Sequence, residues 1–366
     1  MRKRIAAFSM AVSISISISM LCGCDSVELE QRSFPLAMGI DVQTEQPEEK
    51  LVVSFDFPDL KQISEKSKTS DTPMEFSLEG KDLYHVEKSY ENNTNRILDY
   101  NHLKNIILSE ENFKDMRLLR QLLESWEDRP GVARNTSLLL AEGKAAEILS
   151  LTEETEGSVG KYLEEMLESQ KDFKSDKIAT IGDLMDQWHN QDELLLIPVL
   201  TEQGERPVIS KYGVISNFQY VGDISVEEAM EVFLSQNLLK NFQYECEDGT
   251  IVEITDICVE KQITEEEGIP VVTVSVDGKG SICQSSQTDK RQQYQLEQQL
   301  EEQLEFELTE TAGKLQKEKG IDMTNSYVAL GGHNRSLYEK YLNMPETYGK
   351  AVQQVFQTDI TILNFQ

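Results

Sequence analysis

"GTIVEITDICVEKQITEEEGIPVVTVSVDGKGSI", residues 249–282, sets two long runs of strand-forming residues on either side of a short acidic turn, "ITEEEG". In the second run Val272, Val274 and Val276 alternate with Thr273 and Ser275, the period-two pattern of a strand buried on one face. Long runs joined this closely pair antiparallel, because a parallel return needs a crossover of about a dozen residues or more. The segment therefore predicts a long antiparallel hairpin, a poor match to a doubly wound sheet of regular βα units.

Upstream, "ISKYGVISNFQYVGDIS" reads as a second hairpin, and Ser225 with Glu228 forms a capping box for a helix carrying Ala229, Val232 and Phe233. Further back, "FPLAMGIDV" (34–42) and "LVVSFDF" (51–57) form a hairpin, followed by a helical pattern from Asp82 to Asn93. "LKNIILS", "TSLLLAEG" and "ELLLIPVL" read as buried strands. Helices are expected between them at Met116, Leu119, Leu122 and Leu123, and over "KAAEILSL", "VGKYLEEMLESQ" and "TIGDLMDQWHNQ".

Downstream comes the longest helix, about 289–318, with Leu296, Leu300, Leu304, Leu308 and Leu315 in one stripe. A stripe this narrow suits a coiled-coil seam or a partner face, but more often it lays the helix over a sheet. The C-terminal segment from Ser326 reads as a strand, one or two helices and a closing strand through Ile360, Ile362 and Leu363. The fold class that follows is α+β, with two or three domains of mixed and antiparallel sheets covered by helices and no regular βα repetition.

The N-terminus has a different logic. Arg2, Lys3 and Arg4 precede an uncharged run from Ile5 to Leu21 that includes "SISISIS", the layout of a secretory signal peptide. As a helix this run of 17 residues spans roughly 25 Å, short of the ~30 Å hydrocarbon core. At its end Leu21-Cys22-Gly23-Cys24 resembles the bacterial lipobox, in which a leucine and two small residues precede the cysteine that takes a diacylglyceryl group. Cys24 is then the lipidation site and first mature residue. One acyl chain binds a membrane reversibly; a second makes the anchor stable. The expected division is 1–23 signal peptide, 24–33 tether, 34–200 N-terminal α+β domain and 201–366 C-terminal α+β region, with a further division near 238 left open.

Charge limits the partners. The 35 Lys+Arg stand against 65 Asp+Glu; removing Arg2, Lys3 and Arg4 leaves 32 basic residues and a mature net charge of −33. Such a surface is repelled by phosphate, which excludes nucleic acid and docking on anionic lipid through a basic patch. Membrane affinity must come from the acyl chains alone. Cys246, Cys258 and Cys283 remain after processing, and either one disulfide among them or three buried thiols fits that count.

No catalytic or cofactor-binding constellation emerges. His85, His102, His189 and His333 lack metal-ligand spacing, and "GKG" (278–280) and "LGGH" (330–333) read as isolated glycine turns. Glu110-Glu111, Glu153-Glu154, Glu164-Glu165, Glu301-Glu302 and Glu265 to Glu267 lack the alternating geometry that wraps calcium, so they read as solvated faces.

The colinear segments resemble a family, the Ger(x)C lipoproteins, C subunits of spore nutrient germinant receptors. The lipobox is followed by an acidic tether and a G-I-D strand, "VELEQRSFPLAMGIDV"; then come "YNHLKNIILSEEN", "LLESWEDRPGVARNTSLLLAEGKAAEIL" and "KYGVISNFQYVGDISVEEAMEVFL". The closing match is "IDMTNSYVALGGHNRSLYEKYLNMPETYGKAVQQVFQTDITILNF". Departures are Asp25 where the family has Trp, Val214-Ile215-Ser216 where its hairpin has Ala-Val-Phe, and a late helix without tryptophan. The resemblance implies a non-enzymatic lipoprotein at the outer face of the cytoplasmic membrane or inner spore membrane, working with two integral membrane subunits to trigger germination. An extracytoplasmic solute-binding lipoprotein of a transporter is the competing reading, and a cell-envelope hydrolase a third. Cys24→Ala should move the protein from the detergent phase to the aqueous phase on phase partition of cell extracts, and unchanged partition would remove the anchor.

Overall fold

The computed structural model describes residues 29–43, 50–58, 76–127, 131–151, 158–169, 173–175, 178–190, 194–246, 248–283, 290–342 and 345–363. In chain order the first half holds β1 (Arg32–Ser33), β2 (Ala37–Gln43), β3 (Lys50–Asp56), β4 (Phe76–Gly80), α1 (Leu83–Thr94), β5 (Ile97–Leu98) and β6 (Asn105–Ser109). It continues through α2 (Met116–Glu127), β7 (Ser137–Ala141), α3 (Ala145–Leu149), α4 (Val159–Glu168), β8 (Phe173–Ser175), α5 (Ile181–Asn190) and β9 (Leu195–Glu202). The second half comprises β10 (Pro207–Ser216), β11 (Gln219–Ile224), α6 (Val226–Ser235), β12 (Leu239–Glu245), β13 (Ile251–Glu266) and β14 (Ile269–Ile282). It closes with α7 (Lys290–Lys319), α8 (Ser326–His333), α9 (Arg335–Tyr341), α10 (Pro345–Ala351) and β15 (Gln353–Ile362).

Two large sheets carry the architecture. An eight-stranded sheet runs β11-β10-β9-β7-β6-β2-β3-β4, and a five-stranded sheet runs β15-β14-β13-β12-β8. The expected α+β class is what the molecule has, with one element the sequence pattern hides: β2, β6, β7 and β9 are parallel neighbours. The crossover from β6 to β7 runs through α2, and that from β7 to β9 runs through α3, α4 and α5. Their unequal lengths conceal any βα period.

Strands buried on both faces explain the continuous apolar runs. Ile106, Leu108, Leu138 and Leu140 join the core under α1, α2 and α5, whereas Ile107, Leu139 and Ala141 point to the opposite side, under α3 and α4. A third core fills the C-terminal half and continues onto Leu196, Tyr212, Val214 and Ile224 of the eight-stranded sheet. The two sheets thus share one apolar junction.

The hairpin of residues 251–282 forms as its pattern requires, with Glu266 paired to Ile269. Glu267 (φ 51°) and Gly268 (φ 83°) supply the two left-handed residues of a tight turn that matches strand twist. A bulge between Thr255 and Cys258 places Asp256 at φ 53°. The "GKG" glycines lie inside β14, not in a turn: a Cβ on Gly280 would come 3.0 Å from both Ile362 and Val252 side chains.

The leucine stripe of α7 faces the C-terminal core, with Leu300, Leu304, Leu308 and Leu315 fully buried against Val272, Val274 and Ile360. The helix covers the sheet. One expected strand is a helix: "SYVALGGH" forms α8. Asp322 explains the difference, because its carboxylate accepts from the Thr324 and Ser326 amides at 3.0 and 2.7 Å and fixes the first turn. Lys261 Nζ donates to the Thr324 carbonyl at 2.5 Å from β13, tying this turn to the hairpin.

Between α6 and α7 sits a carboxylate that lacks full solvation. Glu231 is 5% exposed, its Oε2 has no hydrogen-bond partner among the described residues, and burial pushes its carboxyl up to about 7, with the Thr311 hydroxyl opposing and Glu307 adding to the rise. A folded-state value above the free value of 4.5 means that stability is full below that pH and is lost as pH rises through about 7. Glu231→Gln should abolish this loss. Urea unfolding at about pH 5 and about pH 8 should show the substituted protein gaining up to about 3 kcal/mol relative to the parent at the higher pH.

Candidate functional site

The predicted lipobox residues Leu21, Cys22, Gly23 and Cys24 lie outside the described residues. What the structure describes begins at Leu29, where the expected tether would join the fold. Arg32 and Ser33 of β1 pair in parallel with Ile97 and Leu98 of β5, and the Asp99 amide donates to the Ser33 carbonyl at 2.8 Å. Arg32 donates to Asp99 at 2.7 Å. Partial burial raises the Asp99 carboxyl, but Arg32 and the Asn101 donors outweigh it and hold it below the usual range. Phe34 meets His102 edge to face, with ring centroids 5.2 Å apart.

Two residues later the chain enters the core. The Lys104 and Asn105 amides both donate to the Leu36 carbonyl, at 2.9 and 3.2 Å. Asp56, buried at the end of β3, accepts from the Gly160 amide and the Ser158 hydroxyl at 2.9 Å each, and so holds the first turn of α4. Burial raises the Asp56 carboxyl, and these donors draw it back. The buried Asn105 side chain donates through Nδ2 to the Gly160 carbonyl at 2.8 Å. A Cβ at Gly160 would lie 2.8 Å from Leu36 Cβ and 2.9 Å from the Asp56 carboxylate, so glycine is required by close approach.

At the opposite end lie the carboxyl ends of the parallel strands, where open α/β sheets bind ligands. Here the protein's own side chains occupy that position. Asp41 accepts from the Ala145 and Ala146 amides at 2.8 and 3.1 Å. Burial raises its carboxyl, against the pull of those amides and the Ser109 hydroxyl. At the same end, on β10, Lys211 is shared by Asp223 at 2.6 Å, Glu142 at 3.2 Å and Glu110 at 4.0 Å. A solute would have to displace these contacts, which argues against a solute-binding crevice at this end. A shallow groove of about 360 Å³ lies between α1 and α2, floored by Leu83, Leu118 and Leu122 and rimmed by Lys81, Gln121 and Glu124.

The residues weighed for chemistry are dispersed. His85 contacts Asp82 at 2.6 Å at the start of α1, and His189 lies 3.5 Å from Glu127. Among the described residues no three His, Cys, Asp or Glu side chains gather into a metal site, and no helix is long and apolar enough to cross a membrane. Cys246, Cys258 and Cys283 are all free thiols. Cys246 alone is buried, and burial, with Asp248 and Glu307 nearby, pushes its thiol up to about 11. Neither one disulfide nor three buried thiols describes them.

Most paired glutamates are surface groups, such as Glu164 with Lys104 at 2.8 Å and Glu165 with Lys161 at 3.4 Å; Glu153 and Glu154 lie outside the described residues. Glu301 is different. With Glu297 and Glu305 it forms a ladder on α7 that accepts the Thr358, Ile360 and Ile362 amides of edge strand β15 at 2.7 to 2.9 Å. Burial raises the Glu301 carboxyl, partly offset by the Ile360 amide. The sequence signal was present as a four-residue spacing displaced by one position from the leucine stripe.

Comparison with known proteins follows the whole chain. The sequence model described as the spore germination protein N-terminal domain matches residues 25–202, and that described as spore germination B3/GerAC like, C-terminal, matches residues 210–362. A solved structure, the crystal structure of the GerBC protein, is similar in fold, with a TM-score of 0.61 at 18% identity, covering 93% of this chain and 100% of that one. No curated protein matches the chain.

The packing at the tether root generates a direct test. Gly160→Ala should cost about 1–3 kcal/mol by overpacking against Leu36 and Asp56, measured by urea unfolding, whereas Gly313→Ala, with open space around it, should not destabilise.

Proposed function

This chain belongs to the GerAC-like family of spore germination proteins, and from that premise we propose that it is the lipid-anchored C subunit of a nutrient germinant receptor. The observation that carries the reading is the succession of both family domains, in order, across residues 25–202 and 210–362. The similarity in fold to the GerBC protein supports it. The subunit is non-enzymatic. Cys24, carrying its diacylglyceryl group, holds it at the outer face of the cytoplasmic membrane, which becomes the inner spore membrane, and the two family domains lie on the tether as N- and C-terminal units dividing near residue 201.

Its role is exercised through protein contacts with two integral membrane subunits. Confinement to the same membrane raises their effective concentration, so contacts too weak to persist in solution stay occupied. The strongly acidic surface, −30 over the whole sequence, keeps the domain off anionic headgroups and nucleic acid and leaves specific complementarity as the means of association.

A deletion strain decides the matter. Purified spores should lose dipicolinate release to one class of nutrient, among amino acids, sugars and nucleosides, while release triggered by surfactant or pressure stays intact. Full responses to every nutrient in a strain without a paralogue would overturn the reading.

A further inference from the structure

We propose that the amino ends of the four parallel strands, where the tether enters, form the face that this protein turns to the bilayer. The inference rests on lipidation of Cys24 and adds what the anchor alone leaves open, the orientation of the domain. Three observations carry it.

The first is the rigidity of the root. Arg32 and Ser33 are paired with β5, Arg32 is bonded to Asp99, and Leu36 receives two amides from the entry to β6, so the chain is fixed to the fold from residue 32 onward. The register puts this root at the amino ends of the sheet, since Ala37, Asn105 and Ser137 are lateral neighbours.

The second is length. From Cys24 to Leu29 there are five peptide steps, at most about 17 Å of extended chain, and the 3-10 turn Leu29–Gln31 adds about 6 Å before the chain is fixed at Arg32. Strand β9 alone has eight residues, about 25 Å at roughly 3.3 Å each. A tether shorter than the sheet is tall cannot let the molecule invert and bring the carboxyl ends of the strands onto the membrane.

The third is charge, which separates standing from lying on a side. At the amino end cations and carboxylates are closely matched: Arg32 with Asp99 at 2.7 Å, Lys104 with Glu164 at 2.8 Å and with Glu168 also near, Arg134 with Asp186 at 2.7 Å. Exposed Arg96 adds positive charge, and Ile97, 42% exposed beside β1, adds apolar surface. At the carboxyl end Lys211 is shared among three carboxylates, and Lys144 faces the buried Asp41. On a mature chain of net charge −33 the near-neutral end is the one an anionic surface repels least. Affinity comes from the acyl chains and orientation from this asymmetry.

The test uses full-length lipidated protein in vesicles of phosphatidylglycerol and phosphatidylethanolamine, with exposed Cys258 and Cys283 replaced by serine. Single cysteines carrying a small fluorophore are placed by Ile97→Cys at the root, Ala133→Cys on a separate exposed loop at the same end, and Glu205→Cys at the turn between β9 and β10. A spin-labelled headgroup lipid serves as quencher. Fluorescence should be lost at positions 97 and 133 and retained at 205. Equal quenching at 133 and 205 would mean that the domain tumbles on its tether and would overturn the proposal. Failure of the protein to float with vesicles, alike with Cys24→Ala, would instead overturn the anchor on which the orientation rests.

Discussion

Backbone amides that open a helix or face outward from a sheet edge need an acceptor once water is excluded, and at four places in this protein the acceptor is a carboxylate. Asp41 fixes the start of α3, Asp56 that of α4 and Asp322 that of α8. Glu297, Glu301 and Glu305 close the edge of the five-stranded sheet at β15. An unsatisfied buried amide costs about 1–3 kcal/mol, so these acids hold together elements far apart in sequence. The acidity that looks like a surface property is partly a device of the interior.

The same constraint bears on function. With Asp41 on the α3 amides and Lys211 among three acids, the carboxyl ends of the parallel strands are committed to internal contacts. Sealing β15 with α7 removes an edge on which another chain would otherwise add a strand. Among the described residues no crevice at the carboxyl ends is left free for a solute, which fits the proposed role by surface contact better than solute binding.

Much of the architecture was legible in residue patterns. The alternation of Val272, Val274 and Val276 located a half-buried strand, the stripe from Leu296 to Leu315 a helix laid on a sheet, and Ser225 with Glu228 a capping box that forms as expected. Where the reading failed, local pattern and distant contact disagreed. "SYVAL" reads as a short apolar strand but is helical, with Asp322, just upstream, holding the amide of Ser326. "GKG" suggests a turn but lies in β14, where isoleucine and valine side chains of both neighbouring strands close over the missing Cβ atoms.

The sequence by itself determined most of the elements, because period and capping are local, and the proposed address at Leu21 to Cys24 is likewise a reading of the linear chain. Only the tertiary structure decided which strands lie parallel, which acids are buried acceptors and which are solvated, and which end of the sheet the tether leaves from. Those properties depend on pairings such as Arg32 with Ile97 and Ile360 with Glu301, between residues tens of positions apart. A local pattern carries no term for such a pairing; packing, which sets who is near whom once water is expelled, supplies it.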